Sequence, residues 1–407
     1  MPVPTVVISS RGEERQRSGH PWIYRSDLLE ADAAAGDRVL VRSRRGRTLG
    51  SALYSDRSQI ALRMLTDGET PASDELIVQR IEAAIGFRDT LNIDATAYRL
   101  VHGEGDRLPS LVIDYYGDSH GDDQRDGHGG RTADRSGGYV VVQAQSQGMD
   151  RLTPVVVSYL QDRLRPRGIL ARNDSRARLL EGLDRQVEVL AGHVPDTVDV
   201  RELGVAYDVD LRHGQKTGLF LDQRENRAAA ALYAHGRLLD CFSYHGGFAL
   251  ALAHRCRNTI AIDISADAVA RLGANAQRNG RIVDAREGNV FDELRAFERA
   301  GERFDTIVLD PPAFAKNKAS LEKAVTGYKD INLRALKLLD KNGILISCSC
   351  SYHVSEALLA EIVYDAAVDA RVHVTVVEKR MQGRDHPVLL GVPETYYLKC
   401  LVLRRID

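Results

Sequence analysis

The second half of the chain predicts an α/β fold, a doubly wound and mostly parallel sheet with one reversed strand. Two smaller domains are expected ahead of it. Three observations carry this. From Arg237 on, short apolar runs at 237–242, 259–263, 283–287, 304–310, 343–349, 372–378 and 395–403 alternate with helical stretches at 247–255, 265–279, 292–300, 320–340 and 355–370. Strict alternation implies parallel strands with helices on both faces. The last two runs lack a helix of comparable length between them, so they should pair antiparallel. Finally, Asp240-Cys241-Phe242-Ser243-Tyr244-His245-Gly246-Gly247-Phe248 passes from a strand through glycines into a helix. Such a turn leaves backbone N–H groups available to a ligand. Asp263 ends the next strand about 20 residues later, where a carboxylate can hold ribose hydroxyls. Together they predict a nucleoside-containing cofactor.

Taken in order, residues 1–70 read as a β-rich domain, with strands at 6–8, 38–41, 49–54 and 60–65 and turns at Gly36-Asp37 and Arg45-Gly46. Arg42, Arg44, Arg45 and Arg47 cluster on one hairpin with no acid between them, which reads as a solvated turn or as a phosphate contact to nucleic acid. Residues 71–182 read as a small α+β domain. A helix follows Ser73, a hairpin spans Tyr98 to Tyr116, and a strand at 139–143, a helix at 152–164 and a strand at 168–171 complete it. Residues 117–138, nearly all Gly, Asp, His, Arg and Ser, are expected to form a flexible insert. Residues 182–204 look linker-like, 205–211 alternate as a half-exposed strand, and 183–407 form the third domain with that strand and the helix opening near Leu219.

Net charge of −2, 43% hydrophobic and 28% charged residues describe a soluble globular chain that does not grip nucleic acid by bulk charge. A local basic patch stays open. No cationic-then-apolar leader and no apolar run of roughly 20 residues is present, so neither a signal peptide nor a membrane span is expected. The five cysteines (241, 256, 348, 350, 400) form neither a CxxC pair nor a zinc pattern, so no metal is expected. An odd count without an export signal reads as reduced thiols in the cytoplasm.

The fourth strand of the α/β domain ends at Asp310-Pro311-Pro312-Ala313-Phe314 and the fifth at Ser349-Cys350-Ser351. Ligands of open α/β sheets sit beyond the carboxyl ends of the strands, so Asp240, Asp263, Asp310 and Cys350 should share one rim. The first turn lacks the G-x-G-x-x-G of a dehydrogenase. Its acids, with Asp-Pro-Pro after strand four, resemble a class I S-adenosylmethionine-dependent methyltransferase with a Rossmann-like sheet. Further motifs resemble the RlmI-like family of large-subunit ribosomal RNA cytosine-5 methyltransferases: His213-Gly214-Gln215-Lys216-Thr217-Gly218, Leu221-Asp222-Gln223-Arg224, Cys241-Phe242-Ser243-Tyr244, Gly327-Tyr328-Lys329-Asp330-Ile331-Asn332 and Ser349-Cys350-Ser351. His20-Pro21-Trp22 and Gly103-Glu104 with Leu108-Pro109 extend the likeness through a PUA-like first domain and the central domain.

The resemblance implies S-adenosylmethionine as cofactor and large-subunit ribosomal RNA as partner, with the assembly state open and a homodimer one option. It implies Cys350 as the nucleophile adding to C6 of cytosine, so that C5 can take a methyl group. Cys350 is favoured over Cys348 because it lies nearer the rim and matches the family's Ser-Cys-Ser position. Asp310 is expected to face the cytosine edge and to border the cofactor. Asp263 should hold the ribose, Gly246 the methionine portion, and Asn289 the adenine amine. Asp240, Phe242, Tyr244, Gln223 and Phe220 are expected around the same ligand. Lys316, Lys318 and Lys329 after the Asp-Pro-Pro turn are candidate phosphate contacts, alongside the four arginines. Methylation of a nucleobase nitrogen, and an inactive RNA-binding protein on a vestigial fold, are the competing readings.

Overall fold

The protein is described by a computed structural model covering residues 3–117, 135–315 and 318–407. The chain divides into two compact units, one made of Met1–Val200, Val209–Leu221 and Arg384–Thr395, the other of Arg201–Asp208, Asp222–Gly383 and Tyr396–Asp407.

The first unit holds two sheets. One has six strands in the order Trp22–Tyr24, Ile60–Met64, Thr48–Tyr54, Arg38–Ser43, Thr5–Ile8, Leu28–Asp32. Only the pair Thr5–Ile8 with Arg38–Ser43 is parallel. Its core is Val6, Ile8, Ile23, Val39, Val41 and Leu62. The other sheet has the order Gln186–Gly192, Gly168–Asn173, Tyr139–Ala144, Leu111–Tyr116, Ala97–His102, with helices Asp74–Asp89 and Gln147–Leu164 supplying Ile77, Ile81, Ile85, Met149, Val156 and Leu160 to its core. Leu53 of the first sheet, and Leu65 just past its strand Ile60–Met64, belong to that second core. A buried ion pair, Arg63 to Glu181 at 2.7 Å, and a hydrogen bond from Trp22 Nε1 to Glu104 at 2.9 Å join them further. The two sheets are thus one packed body.

Three expectations change here. Residues 186–192 and 197–202, expected as linker, are strands; the first pairs antiparallel with Gly168–Asn173 along an edge. The insert expected to run to 138 has a fixed end at Arg135, which is 4% exposed, donates to Tyr98 Oη at 2.8 Å and pairs with Asp89 at 2.5 Å. Its remaining residues, 118–134, lie outside the described ones. The final strand begins at Lys399 rather than 395, because Pro393–Thr395 form a tight helical turn before it.

The second unit is the α/β sheet. Its elements are α1 (Arg224–Tyr233), β1 (Gly236–Cys241), α2 (Gly247–Ala253), β2 (Cys256–Asp263), α3 (Ala266–Arg278), β3 (Asp284–Glu287), α4 (Val290–Ala300), β4 (Phe304–Leu309), α5 (Leu321–Leu338), β5 (Leu339–Ser349), α6 (Glu356–Ala370), β6 (Val374–Met381) and β7 (Lys399–Arg405). The strand order is β3-β2-β1-β4-β5-β7-β6. Only β7 is reversed, antiparallel to both β5 and β6. Successive residues of the central strands alternate between two apolar layers. Leu239, Ile307 and Leu345 pack with Phe297, Tyr328, Ile331 and Ile362, while Leu238, Val308 and Ile346 pack with Phe248, Leu252 and Ala230. Burial on both faces is why these strands read as unbroken apolar runs. The strand order reverses between β1 and β4, which puts the ligand crevice beyond their carboxyl ends.

Candidate active site

Asp240, Asp263, Asp310 and Cys350 all lie at the carboxyl rim of this sheet, at or just past the ends of β1, β2, β4 and β5. The glycine turn after β1 is shaped by the backbone. Phe242 and Tyr244 adopt left-handed φ values of 63° and 49°, and Gly246 has φ of 86°. A Cβ on Gly246 would also stand 2.9 Å from Leu272, so the position needs glycine twice over. Tyr244 N–H donates to Asp263 Oδ2 and Ser265 N–H donates to Asp263 Oδ1, both at 2.9 Å, which fixes that carboxylate at the crevice edge.

Asp240 is 1% exposed. Its Oδ2 accepts from Ala249 N–H at 2.9 Å in the first turn of α2, while Oδ1 has no hydrogen-bond partner among the described residues. Burial pushes its pKa up to about 8 against the pull of the Ala249 N–H; Asp310 nearby raises it and Arg227 lowers it. The Ser243 hydroxyl beside it is also buried without a partner. Orphaned oxygens next to an open glycine turn, with a braced carboxylate on the neighbouring strand, suit a cationic, hydroxyl-bearing nucleoside. Asn289 is the N-cap of α4, its Oδ1 accepting from Phe291 N–H at 3.0 Å. One lone pair of the atom expected to read adenine is therefore engaged by the helix.

Asp310 accepts from Gln223 Nε2 at 2.8 Å. Gln223, 2% exposed, is oriented in turn by Asn226 Nδ2 at 2.7 Å, and Asn226 Oδ1 accepts from Arg380 at 3.2 Å. Cys350 follows the last residue of β5 and is partly exposed, with Sγ 3.8 Å from the Pro311 carbonyl oxygen. Cys348, two residues deeper, is buried opposite Cys400, and that contact together with burial holds its thiol neutral. Cys256 begins β2 at the far edge of the sheet.

Sequence reasoning missed the frame around Cys350. Ser349 Oγ donates to the Tyr328 hydroxyl at 2.9 Å, and that hydroxyl lies 3.0 Å from Ser351 Oγ. Lys399 Nζ donates to the Ser351 carbonyl at 2.7 Å. In the sequence Tyr328 stands out only as part of a motif, and nothing there sets Lys399 apart. Asn226 lies three residues after Gln223, a spacing that could have revealed the pair.

Phe220 belongs to the first unit, with Lys216 Nζ 4.4 Å above its ring. Lys316 lies outside the described residues, and of Lys318 only its place in a short helical turn is described. Lys329, expected to meet phosphate, pairs with Asp369 at 2.9 Å across α5 and α6. Arg42, Arg44, Arg45 and Arg47 are exposed on their hairpin, as expected. Arg47, however, pairs with Glu13, an acid brought in by the helix Ser10–Arg17.

A doubly wound sheet with this rim defines a nucleoside-cofactor-binding α/β enzyme with a thiol at its crevice. Residues 6–67 match the PUA-like domain family, and residues 173–403 match the S-adenosylmethionine-dependent methyltransferase family. Ribosomal RNA large subunit methyltransferase I of Tolumonas auensis is 38% identical over 414 residues, covering 99% of each chain. The enzyme of the same name from Aeromonas salmonicida is 36% identical, covering 95% of each. A structure described as a SAM-dependent methyltransferase from Streptococcus mutans superposes with a TM-score of 0.79 at 19% identity over 98% of this chain and 99% of that one, a likeness of fold. The chain belongs to the S-adenosylmethionine-dependent methyltransferase family, in the group that contains these large-subunit enzymes. S-adenosylmethionine is its cofactor. Among the described residues no helix is long and apolar enough to cross a membrane, and no cluster of three or more His, Cys, Asp or Glu could hold a metal ion.

Proposed function

We propose that the protein methylates C5 of a cytosine in large-subunit ribosomal RNA, with Cys350 as nucleophile. The observation that carries the reading is the partly exposed Cys350 thiol beside the Asp310-Pro311-Pro312 turn, at the carboxyl rim of a methyltransferase sheet. The relatives' names supply the RNA class.

S-adenosylmethionine supplies an electrophilic methyl group, with Asp263, the Gly246 main chain, Asp240 and Ser243 as the residues that would hold it. Phe242, Tyr244 and Asn289 border the same crevice, and Phe220 is a further candidate from its own segment. C5 of cytosine is too weak a nucleophile unaided. Cys350 Sγ adds as thiolate to C6, and the displaced ring electron pair takes a proton at N3, leaving an enamine nucleophilic at C5. Asp310, oriented by Gln223, hydrogen-bonds the N3 and amine edge and supports that protonation. Once C5 carries the methyl group, its hydrogen leaves as a proton to a base and the Sγ–C6 bond breaks, releasing the thiolate and 5-methylcytosine. Arg42, Arg44, Arg45, Lys316 and Lys318 are the proposed phosphate contacts, with Arg47 and Lys329 contributing only through charge already shared with acids.

RNA containing 5-azacytidine should form a covalent complex with the wild type and none with Cys350→Ala. Methyl transfer by Cys350→Ala should fall by roughly three orders of magnitude or more. An adduct of equal yield in the variant removes Cys350 from the mechanism, and bisulfite mapping of methylated RNA tests C5 itself.

A further inference from the structure

Lys399 opens β7 and faces Ser349 in register across the antiparallel pair with β5. It is 2% exposed. Its ammonium donates to the Ser351 carbonyl at 2.7 Å and to the Tyr397 carbonyl at 2.9 Å, and no carboxylate pairs with it among the described residues. Its Nζ lies 6.0 Å from the centre of the Tyr396 ring, whose hydroxyl donates to Glu356, itself paired with Lys379 at 3.0 Å. A buried cation without a counter-ion is costly to keep. Two neutral carbonyls would be served as well by a neutral donor, so hydrogen bonding alone does not account for the charge.

What the charge lies beside is the proposed nucleophile. Ser351, gripped through its carbonyl by Lys399, immediately follows Cys350. On the other side Tyr328 grips Ser349 and Ser351 through their hydroxyls. Among the titratable groups near the thiol are Lys399 from β7 and Tyr328 from α5, both of which feel the Cys350 charge, and Asp310, which precedes the Pro311 whose carbonyl meets Sγ. Of these three, Lys399 is the cation. We propose that Lys399 is a positioning residue that fixes the Cys350 turn and holds Cys350 as the thiolate, the Sγ proton passing to solvent while the ammonium keeps its own. Burial holds the Lys399 pKa down to about 8 while the Cys350 charge raises it. This coupling is reciprocal: a cation favoured by the thiolate favours the thiolate in return.

The inference rests on the reading of Cys350 as nucleophile, and alkylation separates the two. Full-length protein is treated with iodoacetamide across pH 5.5–9.5, and the Cys350 peptide is followed by mass spectrometry. In the wild type the midpoint should fall below the roughly 8.5 of an ordinary thiol. Lys399→Met should raise it by about one unit or more, slowing alkylation at neutral pH by about tenfold, and Lys399→Arg should keep most of the wild-type profile. Under methyl-transfer conditions Lys399→Met should lower kcat with little change in KM for RNA. A lower melting temperature with an unchanged alkylation profile leaves Lys399 a packing role and overturns the proposal. Should Lys399→Met fail to fold, a wild-type midpoint at or above 8.5 overturns it and a lower midpoint sustains it. If Cys350→Ala still methylates RNA, the nucleophile reading falls while the alkylation profile still decides whether Lys399 acts on the thiol.

Discussion

Asp240 is a carboxyl group held in its neutral form by its surroundings. Its folded pKa of about 8 lies above the roughly 3.9 of an exposed aspartate. A group shifted up contributes stability that is fully present below its unfolded value and is lost as pH rises through its folded one. The protein without cofactor should therefore lose stability between about pH 4 and pH 8, and Asp240→Asn should flatten that slope in urea melts. An identical slope in the variant would show that burial does not hold the proton there. The cofactor's positive charge should draw that proton off. Calorimetry near pH 7 in buffers of different ionisation enthalpy should then register proton release by the wild type and not by Asp240→Asn. The variant should bind S-adenosylmethionine about tenfold more weakly, the loss of one charge-assisted hydrogen bond.

At the scale of elements, the strand Val205–Asp210 is held to α3 by side chains as well as by its own ladder. Asn279 bonds both the N–H and the carbonyl of Ala206, at 2.8 and 2.7 Å, and Asn275 Oδ1 accepts from Asp208 N–H at 3.0 Å. Asn279→Ala leaves two backbone groups without these partners and should cost about 1–3 kcal/mol in chemical denaturation. A cost under about 0.5 kcal/mol would mean water replaces the amide freely. Elements also explain what the sequence could reveal. The central strands were legible because both faces are buried and their apolar runs are unbroken. The helix Ser10–Arg17 was not, since its only buried residue is Gly12 and no apolar stripe marks it. The strands Leu28–Asp32 and Gln186–Gly192 were missed for a similar reason: they are edge strands and mostly exposed. Among site residues, acids at strand ends could be found by position. Lys399 could not, because its burial and its neighbour across the sheet exist only after β7 has reversed.

At the scale of the whole molecule, the chain crosses repeatedly between its two units, and each unit contains segments remote in sequence. The piece Arg384–Thr395, which follows β6, completes the first unit. Asp385 accepts Arg99 N–H at 2.9 Å through its carboxylate and Arg88 at 2.7 Å through its carbonyl. From the segment Val209–Leu221, Thr217 donates to Asp114 at 2.6 Å. A fragment of residues 1–182 would leave Arg88, Arg99 and Asp114 short of these buried partners. It should melt roughly 10 °C or more below the intact protein, if it folds at all. Equal melting temperatures for the fragment and the intact chain would show that these late segments add nothing.

The reversal of β7 also decides where attachments can be made. Because that strand enters at the carboxyl rim with Lys399 and runs away from it, Arg404 lies beside Ile344 near the opposite edge of the sheet. A fluorophore or surface tether fixed to residues 404–407 would hang behind the crevice, so an immobilised enzyme should admit its substrate as readily as one in solution.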